Sequence, residues 1–208
     1  MKNIQFILLF LFLSVIPEAS LGNDFNVVEF FNKIDTMHAE FTQKNKGVSS
    51  SRIIQGSGEI FLKKPNKLIW EMHEPFRKTM VINGSTMIFY DEDLNQALIS
   101  DYIEDNKSSW INLFMKGKYN DDAKLIKEQT LIDDRYYVSF MIDDFRDQYK
   151  SVVFVFKNER LNKVKLEDLS SEIIEIEFTK FEINPTITNT LFNYTVPPSA
   201  DVIDQRRE

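Results

Sequence analysis

The chain has no cysteine. Disulfides contribute nothing to its stability, which must come from ordinary burial. The same absence removes the thiol that would carry a lipid anchor, so the chain is not itself a lipoprotein and can handle lipid only as a bound ligand. Histidine is almost as scarce: His38 and His73 are the only two. No metal-ligand spacing separates them, and Pro75 directly after His73-Glu74 excludes a helical zinc motif. No Gly-x-Ser-x-Gly elbow occurs, and Gly56-Ser57-Gly58 lacks the third glycine and the following helix of a dinucleotide loop. The reading is therefore of a protein that is not an enzyme, with no metal and no cofactor. Positive charge is also short. With a net charge of −7 and no basic cluster, the chain is a poor partner for nucleic acid or for anionic lipid surfaces.

What is present begins with one apolar run. Met1-Lys2-Asn3 makes a short positive start, residues 6–16 are apolar apart from Ser14, and Pro17 to Gly22 brings a helix breaker and small residues. Ser20 and Gly22 stand at the −3 and −1 positions of a cut before Asn23. This is the layout of a secretory signal peptide over residues 1–22, too short to cross a bilayer as a transmembrane helix. An uncleaved anchor is the alternative. Cleavage leaves residues 23–208 as a single periplasmic domain of 186 residues with the net charge unchanged, long enough to bury a core. A monomer is expected.

Residues 24–34 read as a short amphipathic helix, capped by Asp24 and carrying Val27, Val28, Phe30, Phe31 and Ile34 at helical spacing. The period then changes to two. Met37, Ala39 and Phe41 alternate with His38, Glu40 and Thr42, which makes a half-buried strand and places His38 on its solvated side. Residues 44–55 are polar and serine-rich and read as a loop. Alternation returns at Gly58, Ile60 and Leu62, and again at Leu68, Trp70 and Met72 beyond a Pro65-Asn66 turn. Strands at 78–82 and 86–90 flank Asn83-Gly84, a strong hairpin signal, with both parities apolar, so the inward one stays open. A strand at 96–100 precedes a second short helix, residues 110–115, capped by Ser109 and stopped by Gly117. Further strands fall near 125–131, 136–142, 151–156, 161–168 and 173–181, with turns at Asp133-Asp134 and at 157–159, and a last one near 192–196 before Pro197-Pro198 and a charged tail.

Asp91-Glu92-Asp93-Leu94-Asn95 opens like a calcium-binding loop, but Gln96 stands where glycine is needed and Tyr102 where the last glutamate is needed. A solvated hairpin turn is the better reading. Asp121-Asp122 and Asp143-Asp144 read as turns too. The whole is mainly β: one antiparallel sheet of about ten strands, which at that size curls into a barrel or half-barrel. Of 18 phenylalanines, 15 follow residue 22. They suit either a closed barrel filled by its own side chains or an open one whose two apolar helices lid a hydrophobic cavity.

The stretch from Gly56-Ser57-Gly58 through Lys63-Lys64-Pro65-Asn66 and Leu68-Ile69-Trp70-Glu71 resembles the LolA family of periplasmic lipoprotein carriers. That family shows Gly-x-Gly, a basic pair before proline, and an apolar or aromatic residue two before tryptophan. Phe41-Thr42-Gln43, Asn83-Gly84, Phe89-Tyr90-Asp91, Leu94 and Gln96 are similar in order and spacing, as is the end from Phe192 through Val196-Pro197-Pro198 to Asp204-Gln205-Arg206-Arg207. The likeness is strongest over residues 41–96 and weakest over 102–149. It implies an unclosed antiparallel β-barrel with short α-helices forming a lid over a hydrophobic cavity. It also implies a carrier that receives lipoproteins from an inner-membrane ATP-driven release complex and hands them to an outer-membrane receptor. The receptor of that pathway shares the fold but is anchored through cysteine, a related sensor carries an additional domain, and a small periplasmic hydrolase would need a nucleophile with a base.

In the family an arginine before the proline latches the lid by bonding helix carbonyls; here that residue is Lys64. Lysine has three donors on a flexible stem where arginine has five in a fixed fork. Lys64 shares parity with Ile60 and Leu62, which directs it to the apolar face, where a helix's last carbonyls are available acceptors. The alternative is a strand-end lysine reaching water. Phe31, Leu68, Trp70, Met72, Trp110 and Phe114 are the candidates for the acyl-chain lining, each of which is otherwise plain core.

Overall fold

The computed structural model describes residues 25–47, 53–102, 109–116, 118–119, 125–141 and 148–206. Residues 1–22, expected to be a signal peptide, Asp24, Gly117, Asp121-Asp122 and Asp143-Asp144 lie outside them.

The first helix, α1, is Val27–Asn32, shorter than the sequence pattern suggests. Its cap is Asn26, not Asp24: the Asn26 Oδ1 accepts the Glu29 amide at 3.0 Å, which satisfies one of the first-turn donors. Twelve strands follow among the described residues, in keeping with the expected sheet of about ten. They are β1 (Thr36–Lys46), β2 (Ile53–Lys63), β3 (Lys67–Glu74), β4 (Lys78–Asn83), β5 (Thr86–Asp91), β6 (Gln96–Asp101), β7 (Ile126–Ile132), β8 (Arg135–Phe140), β9 (Tyr149–Lys157), β10 (Arg160–Asp168), β11 (Ile173–Ile183) and β12 (Asp201–Asp204). A second helix, α2 (Asn112–Met115), sits between β6 and β7. Its first turn starts from the Ser109 carbonyl, which accepts the Asn112 amide at 3.0 Å; the cap position is Ile111, with no side-chain bond.

All strands form one sheet in the order β12-β6-β5-β4-β3-β2-β1-β11-β10-β9-β8-β7. Every neighbour is antiparallel except β12, which runs parallel to β6. The ends of the order are edges, so the barrel is unclosed. The serine-rich loop is shorter than expected because β1 and β2 pair as far as Lys46 and Ile53. Two-residue turns set several registers. Asp133 and Asp134 have φ of 47° and 60°, and Asn158 and Glu159 have 50° and 59°, the paired positive values that match strand twist. In the β4–β5 hairpin Asn83 pairs with Thr86, so the turn is Gly84-Ser85, with Gly84 at φ 65°.

Residues 192–196 form no strand. Asn189–Phe192 is a 3-10 turn, and the segment after β11 crosses the outer face, where Phe192 joins Ile69 and Val81 in a small second core. The charged tail supplies β12 instead. The main core lies on the inner face, between the sheet and the two helices.

Candidate functional site

The inner face is built by alternation. Met37, Ala39 and Phe41 of β1, Ile60 and Leu62 of β2, and Leu68 of β3 are all buried there. Phe30 and Phe31 of α1 come down onto them, with Trp110 ahead of α2 and Phe114 within it. The rings touch at angles that suit their quadrupoles. Phe31 meets Phe114 edge-on at 5.0 Å, Trp110 meets Trp70 at 5.5 Å, and Phe41 meets Trp70 at 5.1 Å. All six proposed lining residues thus fall in one cluster: Phe31, Leu68, Trp110 and Phe114 are buried, and Trp70 and Met72 are partly buried against them.

Sequence reasoning missed part of this surface. Phe154 and Phe156 of β9 are fully buried, and Phe154 lies 5.9 Å from both Phe31 and Phe114. Their alternation with Val153 and Val155 was the available signal. The glycines of the Gly-x-Gly stretch also gain a reason here. A Cβ on Gly58 would stand 2.0 Å from the Glu71 carbonyl and 2.7 Å from the Phe41 ring. The β2–β3 register shifts at that point, so the backbones approach too closely for a side chain.

Lys64 is half-buried on this side of the sheet, and its Nζ donates to the Phe31 carbonyl of α1 at 3.0 Å. Burial pushes its pKa below the usual lysine value, partly offset by the nearby Asp35 carboxylate. Two further side chains tie the helices down. Asn32 donates to the Tyr119 carbonyl at 2.9 Å and accepts the Tyr119 amide at 2.7 Å. The Tyr119 hydroxyl in turn donates to the Leu113 carbonyl of α2 at 3.0 Å, so α1 and α2 are bonded through one residue. From the far end of the chain, Asn184 accepts the Asp35 and Thr36 amides and donates to the Lys33 carbonyl. Asn32, Tyr119 and Asn184 carry no local pattern in the sequence, since the Asn32–Tyr119 bonds and those of Asn184 to residues 33–36 join positions remote along the chain.

The outer face of β1–β3 mixes charged side chains with Phe61 and Ile69 of the small second core. His38 is not simply solvated, as its parity suggested. Its ring stacks on Phe61 at 4.4 Å and stands 3.2 Å from both Glu59 and Glu182. Glu59, Glu71 and His73 bring ligand-type atoms within 4.8 Å of one another. The stretch that opens like a calcium loop is the β5–β6 turn: Asp91 accepts the Leu94 amide at 3.1 Å and pairs with Lys78 at 3.0 Å.

An open sheet with an aromatic inner face under two bonded helices defines the half-barrel, helix-covered class of β proteins. The family model for outer membrane lipoprotein carrier protein LolA matches residues 32–195, and the chain belongs to that family. An outer-membrane lipoprotein carrier protein of Methylobacillus flagellatus is 25% identical over 177 residues, 85% of this chain and 86% of its own. One from Francisella tularensis subsp. novicida is 25% identical over 207 residues, 100% of this chain and 99% of its own. An uncharacterized conserved protein of Thermus thermophilus shares the fold, with a TM-score of 0.54 at 11% identity, over 86% of this chain and 94% of that one. Among the described residues no helix is long and apolar enough to cross a membrane.

Proposed function

We propose that the chain, freed of residues 1–22, carries lipoproteins through the periplasm by their acyl chains. On this reading it takes them from an inner-membrane ATP-driven release complex and delivers them to an outer-membrane receptor. The inner face supplies the lining: Phe31, Leu68, Trp70, Met72, Trp110 and Phe114 lie in one apolar cluster between sheet and helices. Each buried methylene gains about 0.8 kcal/mol, so one long acyl chain is worth on the order of 10 kcal/mol in a membrane. A carrier must match most of that and still let go.

The closed arrangement suggests how. The helix rings already occupy the apolar face, so an entering acyl chain exchanges ring–ring contacts for ring–acyl contacts of similar worth. The polar bonds that hold the helices down then set the balance between closed and open. The observation that carries the proposal is the Lys64 Nζ bond to the Phe31 carbonyl, a latch between strand β2's end and the lid. A charge-assisted bond of this kind is worth about 1.5–3 kcal/mol when well made.

Lys64→Leu removes the bond and leaves the carbonyl to seek water. The variant is expected to bind an environment-sensitive apolar dye more strongly than the parent and to retain lipoprotein when offered the receptor. Lys64→Arg is expected to do the reverse, by restoring a forked donor. Parental dye binding and parental delivery in Lys64→Leu together would show that Lys64 is only a surface lysine. A native mass spectrum of protein purified from periplasm checks the cargo itself, with a retained acylated species as the expected result.

A further inference from the structure

The sheet register assembles a second cluster on the outer face, away from the aromatic one. Glu40 of β1, Glu59 of β2 and Glu71 of β3 stand directly opposite one another in one row across three strands. Like charges so placed repel. Lys180 of β11 faces Glu40 at one end of the row, but its Nζ lies 3.3 Å from Glu182. Both histidines of the chain converge on the middle carboxylate. His38 Nε2 is 3.2 Å from Glu59 Oε2, and His73 Nε2 is 3.6 Å from Glu59 Oε1 and 3.7 Å from Glu71 Oε2.

His73 stands where the β2–β3 register breaks. Ser57 pairs with Glu74 and Gly58 with Met72, which leaves His73 as the extra residue of a bulge. Bulges re-aim side chains. The two His73 separations are too long for hydrogen bonds. They are close to the edge of a tetrahedron built on metal bonds of about 2.0–2.1 Å, roughly 3.4 Å. Half of the His73 side chain, about a third of the Glu71 side chain and about a quarter of the Glu59 side chain are open to solvent, which leaves room for a water as the remaining ligand.

We propose that Glu59, Glu71 and His73 form a binding site for a divalent first-row transition metal such as zinc. An imidazole with two carboxylates suits zinc better than calcium or magnesium, which take oxygen sets. The ion would cancel the repulsion in the carboxylate row and fasten β2 to β3 directly behind Ile60, Trp70 and Met72. Sequence spacing conceals this set because Glu59 reaches its partners only through the strand pairing.

Zinc chloride titrated into the full chain, processed as in the cell, tests the site by calorimetry and by the thermal midpoint with and without EDTA. One zinc per chain and a raised midpoint that EDTA reverses are expected. His73→Ala and Glu71→Gln should each weaken binding by at least about tenfold with an unchanged circular dichroism spectrum. His38→Ala, whose ring meets Glu59 from the other side, should stay within a few-fold of the parent. If His73→Ala fails to fold, Glu71→Gln decides alone. No saturable binding by the parent up to millimolar zinc, or parental affinity in the folded ligand variants, overturns the proposal.

Discussion

The two faces of this sheet use the same strands for opposite ends. In β3, Leu68 and Ile69 are neighbours and both are buried, yet Leu68 joins the aromatic inner cluster and Ile69 the small outer core under the 184–196 segment. The inner face is rich in rings and covered by helices held through a few polar bonds. The outer face pairs a modest core with a row of charges. The difference teaches that burial alone does not mark a binding surface in this fold. Both covers are short and held by polar bonds, since Lys63 donates to the Ile187 carbonyl at 3.0 Å and Asn83 to the Phe192 carbonyl at 3.2 Å on the outer side. What distinguishes the inner face is the extent of its ring cluster, with Phe31, Trp110 and Phe114 packed on Trp70 and Phe41.

The sharpest way to break the comparison is a charge on each side of it. Leu68→Glu buries an unpaired carboxylate among the inner rings, at a cost of about 3–5 kcal/mol. A large fall in denaturation midpoint is expected, together with loss of lipoprotein transfer by whatever fraction stays folded. Normal stability with transfer at the parental rate would remove Leu68 from the lining. Phe192→Ala takes a fully buried ring from the outer core and should cost roughly 3 kcal/mol. Here transfer by the folded protein should stay at the parental rate; if it falls with stability intact, the outer face takes part in delivery as well.

The smallest effect is electrostatic. The bond from Lys78 holds the Asp91 carboxyl below the usual carboxylate range, with the Leu94 and Asp93 amides adding to it. A depressed carboxyl stabilises the fold above its unfolded value of about 3.9, and that contribution disappears as pH falls through the folded value. Asp91→Asn should therefore cost no more than about 1 kcal/mol near neutral pH, and parent and variant should converge in acid. A variant that differs from the parent equally at pH 3 and pH 7 would assign the cost to the β5–β6 turn rather than to the charge.

The sequence by itself determined β1 to β11, the Asp133-Asp134 and Asn158-Glu159 turns, and the two short apolar helices, because alternation, turn chemistry and helical spacing are local; it misplaced the last strand, which is β12 and not residues 192–196. It also directed Lys64 inward, since strand parity is local too. Tertiary structure alone decided the rest. Asn26 takes the α1 cap by geometry that composition cannot distinguish from Asp24. Met80, Ile82 and Met87 face inward while Val81 and Ile88 face outward, a choice hidden in the sequence because both faces of β4 and β5 are covered and both parities are apolar. The outer cover itself is a non-repetitive segment that docks by shape. Tyr119, Asn184 and the Glu59, Glu71 and His73 set owe their roles to partners brought near by register, bulge and helix placement. Periodicity records which way a side chain points; only the folded chain decides what it meets there.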